Sequence, residues 1–159
     1  MRRRTVLPTL LAVLTSAACT ASGDTREADG EPLPTGQVLV EVGPTEVRAE
    51  VADDPEERAV GLMRREEVPP GTGMVFLFGG PTEARFYMYD VQVPLTAVFA
   101  RDGRVVGVVE MPPCAEQQPQ ACPTYGPGAS YDTVLEAAPA TLCGVREGDR
   151  LVVGAGAQG

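Results

Sequence analysis

From Gln37 to Gly154 the chain is a succession of short β-prone runs, each closed by glycine or proline, and this punctuation sets the class of fold. "QVLVEV" and "TEVRAEVA" flank Gly43-Pro44 and read as a hairpin. Val47, Ala49 and Val51 fall on one face, with Glu46, Arg48 and Glu50 on the other. "MVFLF" follows "PPGTG" and reads as an interior strand. "RFYMYDVQVPLTAVFARDGRVVGVVEM" supplies two or three more strands around an Arg-Asp-Gly-Arg turn. "YDTVLEAA" and "DRLVV" supply the last strands. Such spacing predicts a mainly β (α+β) single domain over 37–154, a curled antiparallel sheet, sandwich or small barrel, without βαβ alternation.

One or two short helices complete the expectation. In "DDPEERAVGLMRR", Asp54 is placed to cap and Pro55 suits the first helical position. Glu57 completes a capping-box spacing. Ala59, Val60 and Met63 share a face expected to be buried. "PATLCGV" is a candidate second short helix.

The N-terminus addresses location. Arg2, Arg3 and Arg4 precede an apolar run from Val6 to Leu14 and then the small residues before Cys19. This is the layout of an export signal over 1–18, and the run is shorter than the roughly 20 residues that cross a bilayer. Cys19 after "Ser-Ala-Ala" stands at the acceptor position of a bacterial lipoprotein signal, so Cys19 is the expected lipidation site. Arg3 and Arg4 also fit a loose twin-arginine pattern. Residues 19–36 lack apolar periodicity and read as a disordered tether, and 155–159 as a flexible tail. The chain is thus expected on the extracytoplasmic face of a bacterial membrane, held by lipid on Cys19.

Composition narrows the chemistry. The chain contains no histidine, tryptophan or lysine, and its formal charge is −9. The three leader arginines leave with the signal and no acid does, giving −12 for the mature chain. That charge repels nucleic acid and anionic headgroups. Without histidine there is no Ser-His or Cys-His pair and no imidazole-bound zinc; without lysine there is no Schiff base. "GGPTEAR" lies between strands rather than opening a long helix, so it makes no phosphate loop.

In an oxidising compartment Cys114 and Cys122 read as a structural disulfide stapling a polar loop, against alternatives of metal ligation or redox work. Cys143 in "ATLCGV" reads as a buried thiol packing as a small hydrophobe. Met63, Met74, Met88 and Met111 could serve Cu(I), but each lies in an apolar run that suits a core; no cofactor or metal is expected. Asp90 falls at a strand end reaching water or in a pocket. Asp90, Glu110, Asp132 and Glu136 are scattered carboxylates with no acid–base pair evident.

The order of "GLM-R" (Gly61, Leu62, Met63, Arg64), "GM-F-F" (Gly73, Met74, Phe76, Phe78) and the block Met88, Pro94-Leu95, Phe99 resembles the domain-of-unknown-function 192 family, from Val38 to Val153. Gly148-Asp149 adds a weaker match. The resemblance implies a small, often exported β-rich domain without an assigned activity. This chain has Tyr87 where the family usually carries tryptophan, Tyr89-Asp90-Val91 where it has a Lys-Asn-Thr-like stretch, and Thr96 where it has aspartate. Arg64, Met88, Asp90 and Thr96 form the candidate pocket. The favoured function is a non-catalytic envelope module binding a small ligand or an envelope protein. The rivals are a small extracytoplasmic enzyme using carboxylate or thiol chemistry near Met88, Asp90 and Thr96, and a purely structural surface protein without an apolar pocket.

Overall fold

Gly43, in the left-handed region at φ 54°, reverses the chain between β1 (Gln37–Val42) and β2 (Thr45–Ala52). The two pair antiparallel, with Val40 opposite Val47. Val47 and Ala49 point into the core as their alternation predicts. The structure is a computed structural model that describes residues 36–154. The expected signal over 1–18, the lipidation site Cys19, the tether up to residue 35 and the tail 155–159 lie outside the described residues.

After Ala52 the chain leaves the sheet. The Asp54 carboxylate accepts from the Glu57 N–H at 2.8 Å, and Pro55 opens α1 (Pro55–Val60). Glu57 returns the contact to Asp53 N–H at 3.2 Å, one residue before the cap. The chain then re-enters as β3 (Thr72–Thr82), parallel to β2 with Ala49 opposite Gly73. This single β2–α1–β3 crossover adds one parallel pair to the expected curled sheet, whose other pairs are antiparallel. A parallel pair needs a connection across one face of the sheet, and α1 lies in that connection.

The other strands follow β4 (Phe86–Tyr87), β5 (Leu95–Arg101), β6 (Arg104–Met111), β7 (Thr124–Tyr125), β8 (Tyr131–Ala137) and β9 (Leu151–Val153). Their sheet runs β6-β5-β8-β3-β2-β1-β9, and β4 and β7 form a separate ribbon. Asp102 and Gly103, at φ 50° and 71°, make the β5–β6 turn. The sheet curls until its edges meet at one end. There Arg104 bridges to Arg150, Val105 N–H donates to Asp149 O at 2.9 Å, and Leu151 N–H donates to Gly103 O at 3.0 Å. The result is a small mainly-β domain with a curled half-barrel sheet and one short α-helix, plus a 3₁₀ turn at Pro119–Ala121.

Each face of the sheet carries a core. Val47, Val75, Val98 and Leu135 lie in one, joined by Leu142 and Val145. Met74, Phe76, Phe99, Tyr131 and Val134 lie in the other, covered by Leu62, Met88 and Val91. "PATLCGV" forms turns instead of the expected helix: Thr141 N–H donates to Ala138 O and Val145 N–H to Leu142 O. Leu142 and Val145 take the core positions, leaving Cys143 half-buried. Cys143 is disulfide-bonded, which corrects its reading as a buried thiol. The structure contains the expected Cys114–Cys122 bridge, with Cα atoms 5.8 Å apart.

The bridge closes a short loop beside the second core, where Cys122 is buried and Cys114 packs on the cluster. Replacing both cysteines by serine should lower unfolding free energy by about 2–3 kcal/mol on the chain-entropy scale for so short a loop. Urea titration of the two proteins under oxidising conditions measures the difference; a loss below about 0.5 kcal/mol would remove the staple from the account.

Candidate functional site

The second face is where the covering fails to close. Helix α1 buries none of its residues, contrary to the expected burial of Ala59, Val60 and Met63. Val60 is 47% exposed, and Met63 is half-buried. What fixes α1 is Arg58. Its guanidinium donates to the backbone carbonyls of Asp53 and, at 2.9 Å, Leu77, and it lies 5.1 Å from the Phe78 ring centroid. After α1, Leu62 is buried and Arg65 forks onto Glu50 of β2 at 2.7 and 2.6 Å. The hydrogen bonds from Arg65 hold the Glu50 carboxyl below its ordinary range.

Opposite α1, the chain from Ala84 to Met88 crosses the same face. An edge-to-face series holds it there: Phe76–Phe86 at 5.2 Å, Phe86–Phe99 at 5.6 Å and Phe99–Tyr131 at 4.9 Å. Tyr131 donates its hydroxyl to Ala84 O at 2.6 Å, and burial pushes its pKa up to about 12. Arg85 donates to the Thr124 hydroxyl and carbonyl at 3.0 and 2.7 Å, tying this segment to β7.

Between these two covers an apolar groove of about 220 Å³ opens onto β3 and β8. Phe76, Met88 and Glu136 form its floor; Leu62, Met63 and Phe86 wall it; Val60 and Tyr87 stand exposed at the rim. Gly61 makes room on the helix side. Its φ of 48° with ψ of −130° suits glycine alone, and a Cβ there would sit 3.3 Å from the Phe76 ring.

Glu136 is the unusual group. On β8 it pairs with Met74 of β3 and Ala97 of β5, placing it on the second face with Val134. It is 5% exposed, and among the described residues its carboxyl has no hydrogen-bond or ion-pair partner, its oxygens opening to the groove rather than being sealed from solvent. Burial raises its pKa to about 8, so it is largely protonated at neutral pH.

The structure divides the residues expected to form a pocket. Met88 lines the groove. Arg64 and Asp90 pair outside it: Arg64 N–H donates to Asp90 O at 2.7 Å, and Arg64 Nε lies 3.9 Å from the Asp90 carboxylate. Their side chains are 72% and 44% exposed, and both residues adopt positive φ, 61° and 56°. Asp90 thus closes a turn that faces water. Thr96 is buried on β5 opposite Ala137, one step from Ala97 and so on the other face of the sheet. Of the four scattered carboxylates, Glu110 is exposed on β6 and Asp132 accepts from Asp102 N–H; Glu136 alone reaches the groove. The sequence signal for Glu136 is a single acid inside the strand "TVLEAA", where neighbours on both sides are apolar.

The Glu136 proton has a consequence for stability. The folded protein retains it up to about pH 8, whereas the unfolded chain releases it near 4.5. Between those values the native state binds more protons, so stability falls as pH rises, by about 1.4 kcal/mol per pH unit for this group. Urea unfolding across that range should show the slope in the wild type and lose it in Glu136→Gln; equal slopes would mean that Glu136 ionises normally in the fold. Gly61→Ala should cost about 1–3 kcal/mol through its forced backbone and crowding of Phe76, read from the thermal midpoint.

The DUF192 family model, described as "Uncharacterized ACR", matches residues 38–153. Two crystal structures are similar. One, from Sinorhizobium meliloti 1021 and provisionally named a transcription regulator, has 26% identity and a TM-score of 0.64. The match covers 77% of this chain and 98% of that one. The other, a protein of unknown function from Novosphingobium aromaticivorans DSM 12444, has 28% identity and a TM-score of 0.62. It covers 89% of this chain and 99% of that one. No curated protein matches. With its matched span covering nearly all of the described fold, the chain belongs to the DUF192 family.

Proposed function

We propose that this protein is an exported, membrane-tethered envelope domain that binds a small ligand in the groove between α1 and the Ala84–Met88 segment. The observation that carries the reading is the groove itself: an open apolar cavity of about 220 Å³ with one buried carboxyl in its floor. Apolar lining with a few placed polar groups is the usual character of a small-molecule site, and this volume suits a compact ligand. A carboxylate enzyme needs two converging acids, and the groove is lined by Glu136 alone among the acids. Export rests on the leader over 1–18, and tethering on Cys19 with the polar stretch to residue 36. The Cys114–Cys122 bridge suits an oxidising compartment on the extracytoplasmic face. The name of the Sinorhizobium protein is not carried over to this chain, because its acidic balance opposes nucleic acid.

Two measurements test this reading. With methionine methyls labelled for NMR, a neutral aromatic probe such as benzyl alcohol should shift Met63 and Met88, which line the groove, more than Met111. No response at Met63 and Met88 would end the groove reading. For the anchor, non-reducing intact mass of the chain from its native membrane should show a start at Cys19 with added lipid, and Cys19→Ser should release the protein into the soluble fraction. A thioether-linked lipid and a disulfide are exclusive uses of one thiol. Lipid on Cys19 is thus compatible with a bridged Cys143 only if Cys143 pairs with a thiol outside this chain, and an unlipidated chain with all four cysteines bridged would make Cys19 a staple.

A further inference from the structure

We infer that the groove takes a small primary ammonium ligand, its nitrogen against the Glu136 carboxyl and its apolar body against Phe76, Phe86 and Met88. This rests on the groove being a ligand site and names the chemistry that fits it. The Glu136 carboxyl has no protein partner among the described residues, yet its oxygens open to the groove, so a charged donor entering there can take the place of water on them. The surrounding groups are committed elsewhere. Arg58 on α1 serves the Asp53 and Leu77 carbonyls, Arg85 serves Thr124, and the Tyr131 hydroxyl serves Ala84 O. Tyr87 of β4 stands at the exposed rim. None of these side chains is left to pair with Glu136, so a ligand entering the groove can supply the donor in place of water.

Three features favour a cation over a neutral donor. Ionised Glu136 paired with an ammonium is charge-compensated, whereas a neutral donor leaves a net charge buried or the acid protonated. The lining is rich in aromatic rings, and one of them, Phe78, already holds the Arg58 guanidinium 5.1 Å from its centroid. The acidic surface draws cations toward the domain. A carboxylate ligand would meet like charge only once Glu136 ionises, so it gains nothing from the ionised acid. The cavity volume limits the body to a ring or short chain, and Arg58 and Arg85 beside the groove disfavour a second positive charge.

The test compares benzylamine, benzyl alcohol and benzoate, which share one ring and differ in the head group, titrated onto the mature chain with labelled methionine methyls. At about pH 8 or above, where Glu136 is ionised in good part, benzylamine should bind at least about tenfold tighter than the alcohol, in keeping with one charge-assisted hydrogen bond, and tighter than benzoate. Because Glu136 must give up its proton, amine affinity should rise about tenfold from about pH 6 to about pH 7, with a proton released to buffer. Glu136→Gln should reduce the amine to the affinity of the alcohol. Should that variant fail to fold, the wild-type pH profile decides alone. Alcohol binding as tight as the amine, or a flat amine profile, overturns the ammonium inference and leaves the groove standing. Silence of Met63 and Met88 toward all three probes removes both.

Discussion

The parallel pairing of β2 with β3 is the constraint on which the rest of the architecture depends. Antiparallel neighbours can be joined at one end of a sheet, but a parallel pair sends its connection over a face. Here that connection runs from Asp53 to Gly71 and contains only the six residues of α1 as helix. A longer amphipathic helix would bury a stripe on Met74, Phe76 and Val134. This one buries none of its residues, and Leu62 makes the deep contact just after it. The remaining cover comes from the Ala84–Met88 segment, held by aromatic edges and the Tyr131 hydroxyl. Two narrow covers over a wide apolar face leave a gap, and the gap is the groove.

The same constraint explains where particular motif residues fall. Gly61 takes a conformation suited to glycine just where the chain must turn down from α1 toward Phe76. Gly73 sits where a Cβ would meet the Glu136 carbonyl oxygen of β8, so β3 can lie between β2 and β8 only with a hydrogen at that position. Arg64 and Asp90, both at positive φ, join the end of the crossover to the turn after Met88 through one backbone hydrogen bond. Their ion pair is exposed and long, and pairs of that kind contribute about 0–1 kcal/mol. The backbone contact, rather than the charges, links the two covers.

What local chemistry decides was legible in the residues. Gly43-Pro44 and Asp102-Gly103 specify their turns, Asp54-Pro55 and Glu57 specify the start of α1, and alternation in β2 specifies its inward face. What depends on distant partners was not. Ala59, Val60 and Met63 stand at helical spacing, which reads as burial, yet periodicity reports a shared face and not whether anything covers it. Asp90 continues the alternation of Phe86 and Met88 in sequence, but β4 ends at Tyr87 and a left-handed residue turns the carboxylate to water. Met88 was placed in the pocket, while Thr96 went to the opposite face through a one-residue step along β5. Glu136 was visible as an acid, but its isolation follows from the flanking strands β3 and β5, which no local pattern identifies.

Glu136 departs from the internal consistency of the rest of the fold. Val134 beside it on the same face of β8, and Met74 and Ala97 opposite it, are apolar, and any of their side-chain types would sit there without a polar group to bury. The fold therefore gains nothing in stability from a carboxyl at this position, and at neutral pH it retains a proton that water would remove. Folded proteins concentrate such departures where function requires them, because elsewhere a more stable substitution is readily available. The location makes the point sharper. Of all positions on the second face, the unpartnered acid occupies one that reaches the gap between the two covers. A buried acid under a closed core would be a defect; under an open groove its oxygens reach solvent and stay available to whatever enters.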